Sequence, residues 1–145
     1  MGSAQFQGEL WGKRARDWAG LQEASFRPLY EAAFDAARVG RATTYLDVGC
    51  GAGLACQIAQ ARGAKVSALD AAAGLAEIAR ERCPGADIRV GEIEELPFGD
   101  GSFEVTSGFN SFQYATDPAH ALAEARRVTK PGGTVVVAEI GRAHV

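Results

Sequence analysis

Apolar positions along this chain change their period several times, and each change marks an element. Over residues 6–40 they recur every three or four positions. Leu10, Trp11, Trp18 and Leu21 form one stripe with Arg14, and Leu29, Ala32, Ala33, Ala36 and Ala37 form a second. That is the helical period. Pro28 suits the first turn of the second helix, and Gly40 is a natural stop. From residue 44 the pattern turns to short apolar runs. Residues 44–48, 65–70, 87–90, 102–107 and 134–140 predict five strands, and residues 53–62, 71–82 and 117–128 predict helices. Gly63, Pro84-Gly85 and Pro131-Gly132-Gly133 punctuate the series, and Pro97 and Gly99 mark 92–100 as loop. Asp117 suits an N-cap and Pro118 the position after it. Strands alternating with helices imply a parallel sheet covered on both faces, and right-handed crossovers make it doubly wound. The expected fold class is therefore α/β, a doubly wound, mainly parallel sheet of about five strands. One domain is expected over residues 1–145, with a helical segment at 6–40 and a core at 43–140.

In such a sheet, ligands sit at the carboxyl ends of the strands, and the residues richest in chemistry fall there. The first strand ends in Asp47, and Gly49, Gly51 and Gly53 follow at alternate positions before a helix begins near Leu54. Strand, glycine turn and helix make a pocket for an adenosine-bearing ligand. A dinucleotide fingerprint, G-x-G-x-x-G, would place its third glycine where Leu54 stands. Asp70 ends the second strand. A carboxylate there can accept both hydroxyls of a ribose and repels a 2′-phosphate; the alternative is a cap on the following helix.

Composition narrows the picture. The chain has 145 residues, 47% hydrophobic and 23% charged, with a net charge of −3. It is long enough for a real core, and no broad basic face for nucleic acid is expected. Lys13, Arg14 and Arg16 form one local basic cluster, either a solvated helix face or a lid that meets a ligand carboxylate. No run approaches the roughly 18 apolar residues of a membrane helix. Gln5, Gln7 and Glu9 interrupt any signal-like core, so a cytoplasmic protein is expected. Cys50, Cys56 and Cys83 lack metal-ligand spacing with His. They read as small packing residues, and no metal site is expected. His120, inside a helix, reads as surface or partial core.

The detail of the glycine turn carries a family resemblance. Leu46-Asp47-Val48-Gly49-Cys50-Gly51-Ala52-Gly53, Leu69-Asp70, the stretch from Gly91 through Phe98, Ser102-Phe103-Glu104 and the stretch from Val128 through Gly133 stand in one order. Together they resemble class I, Rossmann-like methyltransferases that use S-adenosylmethionine (SAM), in the ubiquinone/menaquinone-biosynthesis-type branch. The resemblance covers about residues 43–140. It implies SAM as cofactor and S-adenosylhomocysteine (SAH) as product. Gly49, Cys50, Gly51 and Gly53 would pass under the methionine part, with Asp47 ordering the turn and holding the amino group. Asp70 would take the ribose hydroxyls, and Ala71 would lie against the adenine. Glu92 stands where the family usually has Asp and would accept from the adenine amino group. Ile93 would offer its backbone N–H and its side chain to the ring. The alternative for Glu92, Glu94 and Glu95 is a solvated acidic loop. Phe109 and Asn110 would lie closest to the methyl donor. Phe109, Phe112, Trp11 and Trp18 are candidates to stabilise the sulfonium, with core packing as the alternative for each.

Methyl transfer from a sulfonium needs alignment and exclusion of water, and a base only when the acceptor must lose a proton. Many relatives have His near Gln113 and Tyr114, and this chain does not, so no catalytic residue is named. The family's sheet usually adds two further strands beside the fifth. The chain stops after that strand, and Thr134-Val135-Val136-Val137-Ala138-Glu139-Ile140 lacks the charges and prolines that blunt an edge. Either pairing with a second chain through that edge or a truncated product of a longer gene is expected. Two functions follow. One is a methyltransferase acting on a small-molecule acceptor, without nucleic acid or membrane. The other is a non-catalytic or truncated SAM-binding fragment that dimerises through its sheet edge.

Overall fold

The computed structural model describes residues 23–139. A short 3-10 turn, Glu23–Phe26, leads into α1 (Arg27–Ala37). Next come β1 (Thr44–Val48), α2 (Leu54–Ala61), β2 (Lys65–Asp70), α3 (Ala73–Arg82) and β3 (Asp87–Val90). β4 (Phe103–Phe109), a 3-10 turn at Phe112–Tyr114, α4 (Pro118–Val128) and β5 (Thr129–Ala138) complete the described chain. The sheet order is β3-β2-β1-β4-β5, with every pairing parallel. The chain starts in the centre, builds out to β3, then crosses back past β1 to lay down β4 and β5. The reversal between β1 and β4 is the switch point at which such sheets bind ligands.

The alternation of side chains along β1 sorts two cores. Tyr45 joins Tyr30, Phe34, Ile58, Val66 and Phe109 under α1, α2 and α3. Leu46 and Val48 join Leu69, Phe103, Phe112 and Val128 under α4. Because both faces are covered, the strand is apolar at nearly every position, as buried parallel strands are. Phe34 sits edge-on to Tyr45 with ring centroids 5.2 Å apart, a favoured aromatic geometry.

The α/β, doubly wound, parallel reading is correct, and β1, β2 and β3 have the predicted bounds. Four details differ, each for a local reason. Gly40 does not close α1. Arg38 does, in the left-handed conformation (φ 58°), with its N–H donating to the Asp35 carbonyl and the Val39 N–H to that of Phe34. α3 begins at Ala73, not Ala71, because the Asp70 carboxylate captures the Ala72 N–H and holds that residue extended. β4 runs on to Phe109, where the predicted strand ended at Ser107. The Pro131-Gly132-Gly133 stretch is not a turn before the last strand but a bulge within β5. The register jumps there from Phe103 opposite Thr129 to Val105 opposite Thr134. Gly133 permits it, since a Cβ there would stand 2.6 Å from the Glu104 carbonyl oxygen. Residues 6–22, with Trp11 and Trp18, and Ile140 lie outside the described residues.

Candidate functional site

The glycine turn after β1 is built by three residues of positive φ: Gly49 at 77°, Gly51 at 57° and Gly53 at 91°. Only glycine holds such angles without steric cost. Two of the three are also sites of close approach. A Cβ on Gly49 would stand 2.5 Å from the Cβ of Ser111, and one on Gly53 would stand 2.8 Å from that of Ala79 on α3. The third glycine thus stands at 53 because α3 packs onto the start of α2 there. The Gly49 and Cys50 N–H groups both donate to the Leu69 carbonyl, at 2.7 and 3.0 Å, tying the turn to the end of β2.

Asp70 makes the second tie. Its Oδ2 accepts from the Gly51 N–H at 2.8 Å and its Oδ1 from the Ala72 N–H, also at 2.8 Å. The capping alternative is thus what the hydrogen bonds show directly. Asp70 braces the turn and the entry to α3, and each oxygen keeps a further lone pair for a ligand hydroxyl. Burial pushes its pKa up, and the N–H groups of Ala72, Gly51 and Ala71 pull it partly back. Ala71 itself is half-buried beside it.

Asp47 points into the α1–α2 core instead. It is 2% exposed. Its Oδ1 accepts from Ser107 Oγ at 3.0 Å and its Oδ2 from Cys56 Sγ at 3.8 Å. Tyr45 Oη lies 2.5 Å from Ser107 Oγ, so the proton order runs from Tyr45 to Ser107 to Asp47. Burial and the Asp47 charge push the Tyr45 phenol well up, which keeps it a donor. Asp47 thus ties the end of β1 to β4 and α2 through Ser107 and Cys56. Cys56 is pushed well up by its contact with Cys50, by burial and by Asp47. In Cys50 the contact with Cys56 pulls down, but burial and the charges of Asp70 and Asp47 outweigh it. Both stay neutral thiols, consistent with packing rather than nucleophilic roles.

Glu92 and Ile93 lie half-buried on the loop after β3, and Ile93 packs against the Leu46–Val48 core. The Gly91 N–H donates to the Asp70 carbonyl at 3.0 Å, so this loop starts beside the ribose candidate. No helix holds it between β3 and β4. A brace from α4 does. Arg127 donates to the Leu96 and Phe98 carbonyls at 3.0 and 2.9 Å and pairs with Asp100 and Glu124. Glu124 in turn accepts the Leu96 N–H at 2.9 Å. The sequence reading missed this brace and Ser107. A serine inside an apolar strand and an Arg three residues after Glu in a helix were the available signals.

β4 delivers Phe109 and Asn110 to the same end of the sheet. Phe109 is 7% exposed, its ring 4.7 Å from Tyr30 and 6.0 Å from Phe34, so core packing is its observed role. Phe112 is likewise buried in the α4-side core, over Gly108. Asn110 takes a left-handed φ of 57°, rare outside glycine but easiest for Asn. Its N–H donates to the Ala138 carbonyl at 2.6 Å and its Oδ1 accepts from Gln113 Nε2. His120 is exposed on α4, far from this role.

Gly49–Gly53, Asp70, Glu92–Ile93 and Asn110 therefore all lie at the carboxyl ends of the strands, where such sheets bind ligands. A family described as a methyltransferase domain matches residues 46–137, which span all of them. The chain belongs to this methyltransferase family. Its relatives include malonyl-[acyl-carrier protein] O-methyltransferase of Serratia marcescens, 37% identical over 63% of this chain and 36% of that protein. Demethylmenaquinone methyltransferase of Renibacterium salmoninarum is 39% identical over 65% of this chain and 40% of that protein. The chain spans less than half the length of these curated relatives. Among solved structures, geranyl diphosphate C-methyltransferase of Streptomyces coelicolor, in complex with Mg2+, geranyl diphosphate and SAH, superposes with a TM-score of 0.68. It is 26% identical, over 76% of this chain and 44% of the other.

Proposed function

We propose that this protein is a SAM-dependent methyltransferase acting on a small-molecule acceptor. The observation that carries the reading is the Asp70 carboxylate. It is fixed at the end of β2 by the Gly51 and Ala72 N–H groups, directly beside three glycines that leave the turn without Cβ atoms. That arrangement suits a ribose next to a methionine chain. Bound there, SAM supplies an electrophilic methyl group. The chain's own residues bind and orient it. Gly49, Cys50, Gly51 and Gly53 form the floor under the methionine part, and Asp70 accepts the ribose hydroxyls. Ala71, Glu92 and Ile93 receive the adenine, and Asn110 stands at the methyl end beside Phe109.

No His, Lys or Arg stands in the 109–114 segment, so that segment supplies no such base to an acceptor that must lose a proton. Relatives named as malonyl-[acyl-carrier protein] O-methyltransferase and demethylmenaquinone methyltransferase support an acyl or quinone-type acceptor. Family membership favours this enzyme reading over a non-catalytic fragment. Cys50, Cys56 and Cys83 are buried thiols, in keeping with the cytoplasmic placement proposed for the chain.

Titration calorimetry with SAH tests the proposal, with NADH as the competing adenosine ligand. SAH is expected to bind in the micromolar range and NADH not to bind. Glu92→Ala is expected to weaken SAH about fivefold, the worth of one hydrogen bond. Folded protein that ignores SAH would overturn the assignment.

A further inference from the structure

Five buried side chains that carry a hydroxyl, a carboxylate or a thiol join end to end between the core and the glycine turn. Tyr45 and Asp47 stand two apart on β1 and so share one face. Ser107 stands opposite Asp47 in the pairing of β1 with β4. Tyr45 Oη meets Ser107 Oγ, Ser107 Oγ donates to Asp47 Oδ1, and the Cys56 thiol on α2 donates to Asp47 Oδ2. Cys56 also touches Cys50, which lies within the turn. The Cys50 thiol donates to the Gly51 carbonyl at 3.5 Å. On the other side of the same residue, the Gly51 N–H donates to Asp70 Oδ2 at 2.8 Å. One path of polar contacts therefore runs from the Tyr45 phenol to the carboxylate assigned to the ribose.

Packing alone does not call for this path. Apolar side chains of the same shape would fill the space without burying hydroxyls and a carboxylate. What the path adds is direction. Gly51 sits at φ 57° with no Cβ, so no side chain of its own fixes where its carbonyl points. A thiol at its carbonyl and a carboxylate at its N–H fix both. Each hydroxyl or thiol along the path has one proton to give, so each link orients the next. Without the Tyr45 hydroxyl, Ser107 loses the partner that orients it. Without Ser107, Asp47 loses the bond that orients Oδ1.

We propose that Tyr45 and Ser107 are positioning residues for the cofactor, acting through Asp47, Cys56 and Cys50 on the direction of the Gly51 peptide. This rests on the SAM-binding reading. NMR and SAH calorimetry on the full chain test it. Tyr45→Phe removes only the phenol oxygen and Ser107→Ala only the hydroxyl. Val66→Ala is the control, because Val66 pairs with Tyr45 across β1 and β2 and lies in the same core but outside the path. Without ligand, the Gly51 carbonyl 13C resonance should move in Tyr45→Phe and Ser107→Ala and stay in place in Val66→Ala. SAH should bind about three- to fivefold more weakly to each of the first two, up to the worth of one hydrogen bond. It should bind Val66→Ala within about twofold of wild type, although that cavity lowers Tm. The double variant Tyr45→Phe/Ser107→Ala should lose no more than about fivefold, because one path is broken twice. Unchanged SAH affinity in either single variant, losses that multiply in the double variant, or a static Gly51 resonance would each overturn the proposal. So would a Val66→Ala chain that loses as much SAH affinity as Tyr45→Phe, since Tyr45 would then serve packing alone. A folded wild-type chain that ignores SAH would instead overturn the cofactor reading, and with it this role for Tyr45 and Ser107.

Discussion

At the scale of single residues, the site rests on carboxylates that serve the backbone before they serve a ligand. Asp70 is the clearest case, and its ionisation makes a testable prediction. Burial raises its pKa, with the N–H groups of Ala72, Gly51 and Ala71 opposing. The folded chain therefore holds this proton more tightly than the unfolded chain does. Between the usual carboxylate value and the raised one, the native state binds more protons, so Asp70's contribution to stability falls as pH rises through that window. Ribose hydroxyls donate to the ionised form, so binding opposes burial and draws the pKa back down. SAH affinity is expected to fall as pH drops through the raised value, and binding inside the window should release protons. Calorimetry in two buffers of different ionisation enthalpy measures that release. An Asp70→Asn variant that still binds SAH and releases as many protons would show that another group is responsible.

At the scale of elements, what the sequence made legible was whatever announces itself by period or by punctuation. β1, β2 and β3 were readable to the residue because apolar runs end at carboxylates or glycines. The glycine turn was readable because three positive-φ positions leave almost no other choice of residue. The bulge in β5 was not. Pro131-Gly132-Gly133 carries the same local signal whether it ends a turn or interrupts a ladder, and only pairing with Glu104 and Val105 decides between them. The loop after β3 was placed, but what holds it was hidden, because Arg127 and Asp100 lie far apart in the chain and meet only when α4 docks. That brace predicts a coupling. Partner contacts hold the Arg127 guanidinium in its charged form, above all Glu124 and then Asp100, and it grips the carbonyls of Leu96 and Phe98. Arg127→Met keeps the apolar stem and removes these bonds. It is expected to cost about 1–2 kcal/mol, since the head group is partly solvated. Hydrogen exchange at 92–100 should quicken, and SAH should bind several-fold more weakly through Glu92 and Ile93. Unchanged exchange in that loop would show that the Ile93 and Leu96 contacts suffice to hold it.

At the scale of the whole molecule, the open question is the outer side of β5. Among the described residues this strand pairs only with β4. The sequence reading treated 134–140 as a bare apolar edge. The structure changes that argument, because β5 starts at Thr129 and its first half carries Lys130, Pro131 and the bulge. A proline and an irregular ladder are what natural sheets use to blunt an edge. Only Thr134–Ala138 remains regular, with Val137 47% exposed. Such a short edge can pair with a second strand, but over few residues, so association should be weak. Isolated hairpins and short pairings are marginal in water for the same reason. For the 145-residue chain taken by itself, sedimentation equilibrium tests pairing through Thr134–Ala138, with a mass that rises with concentration as the expected outcome. Val137→Lys places a charge on that segment and should hold the protein at one chain mass without lowering SAH affinity. A mass of one chain at every concentration would overturn the dimer. A dimer that persists in Val137→Lys would place the interface elsewhere.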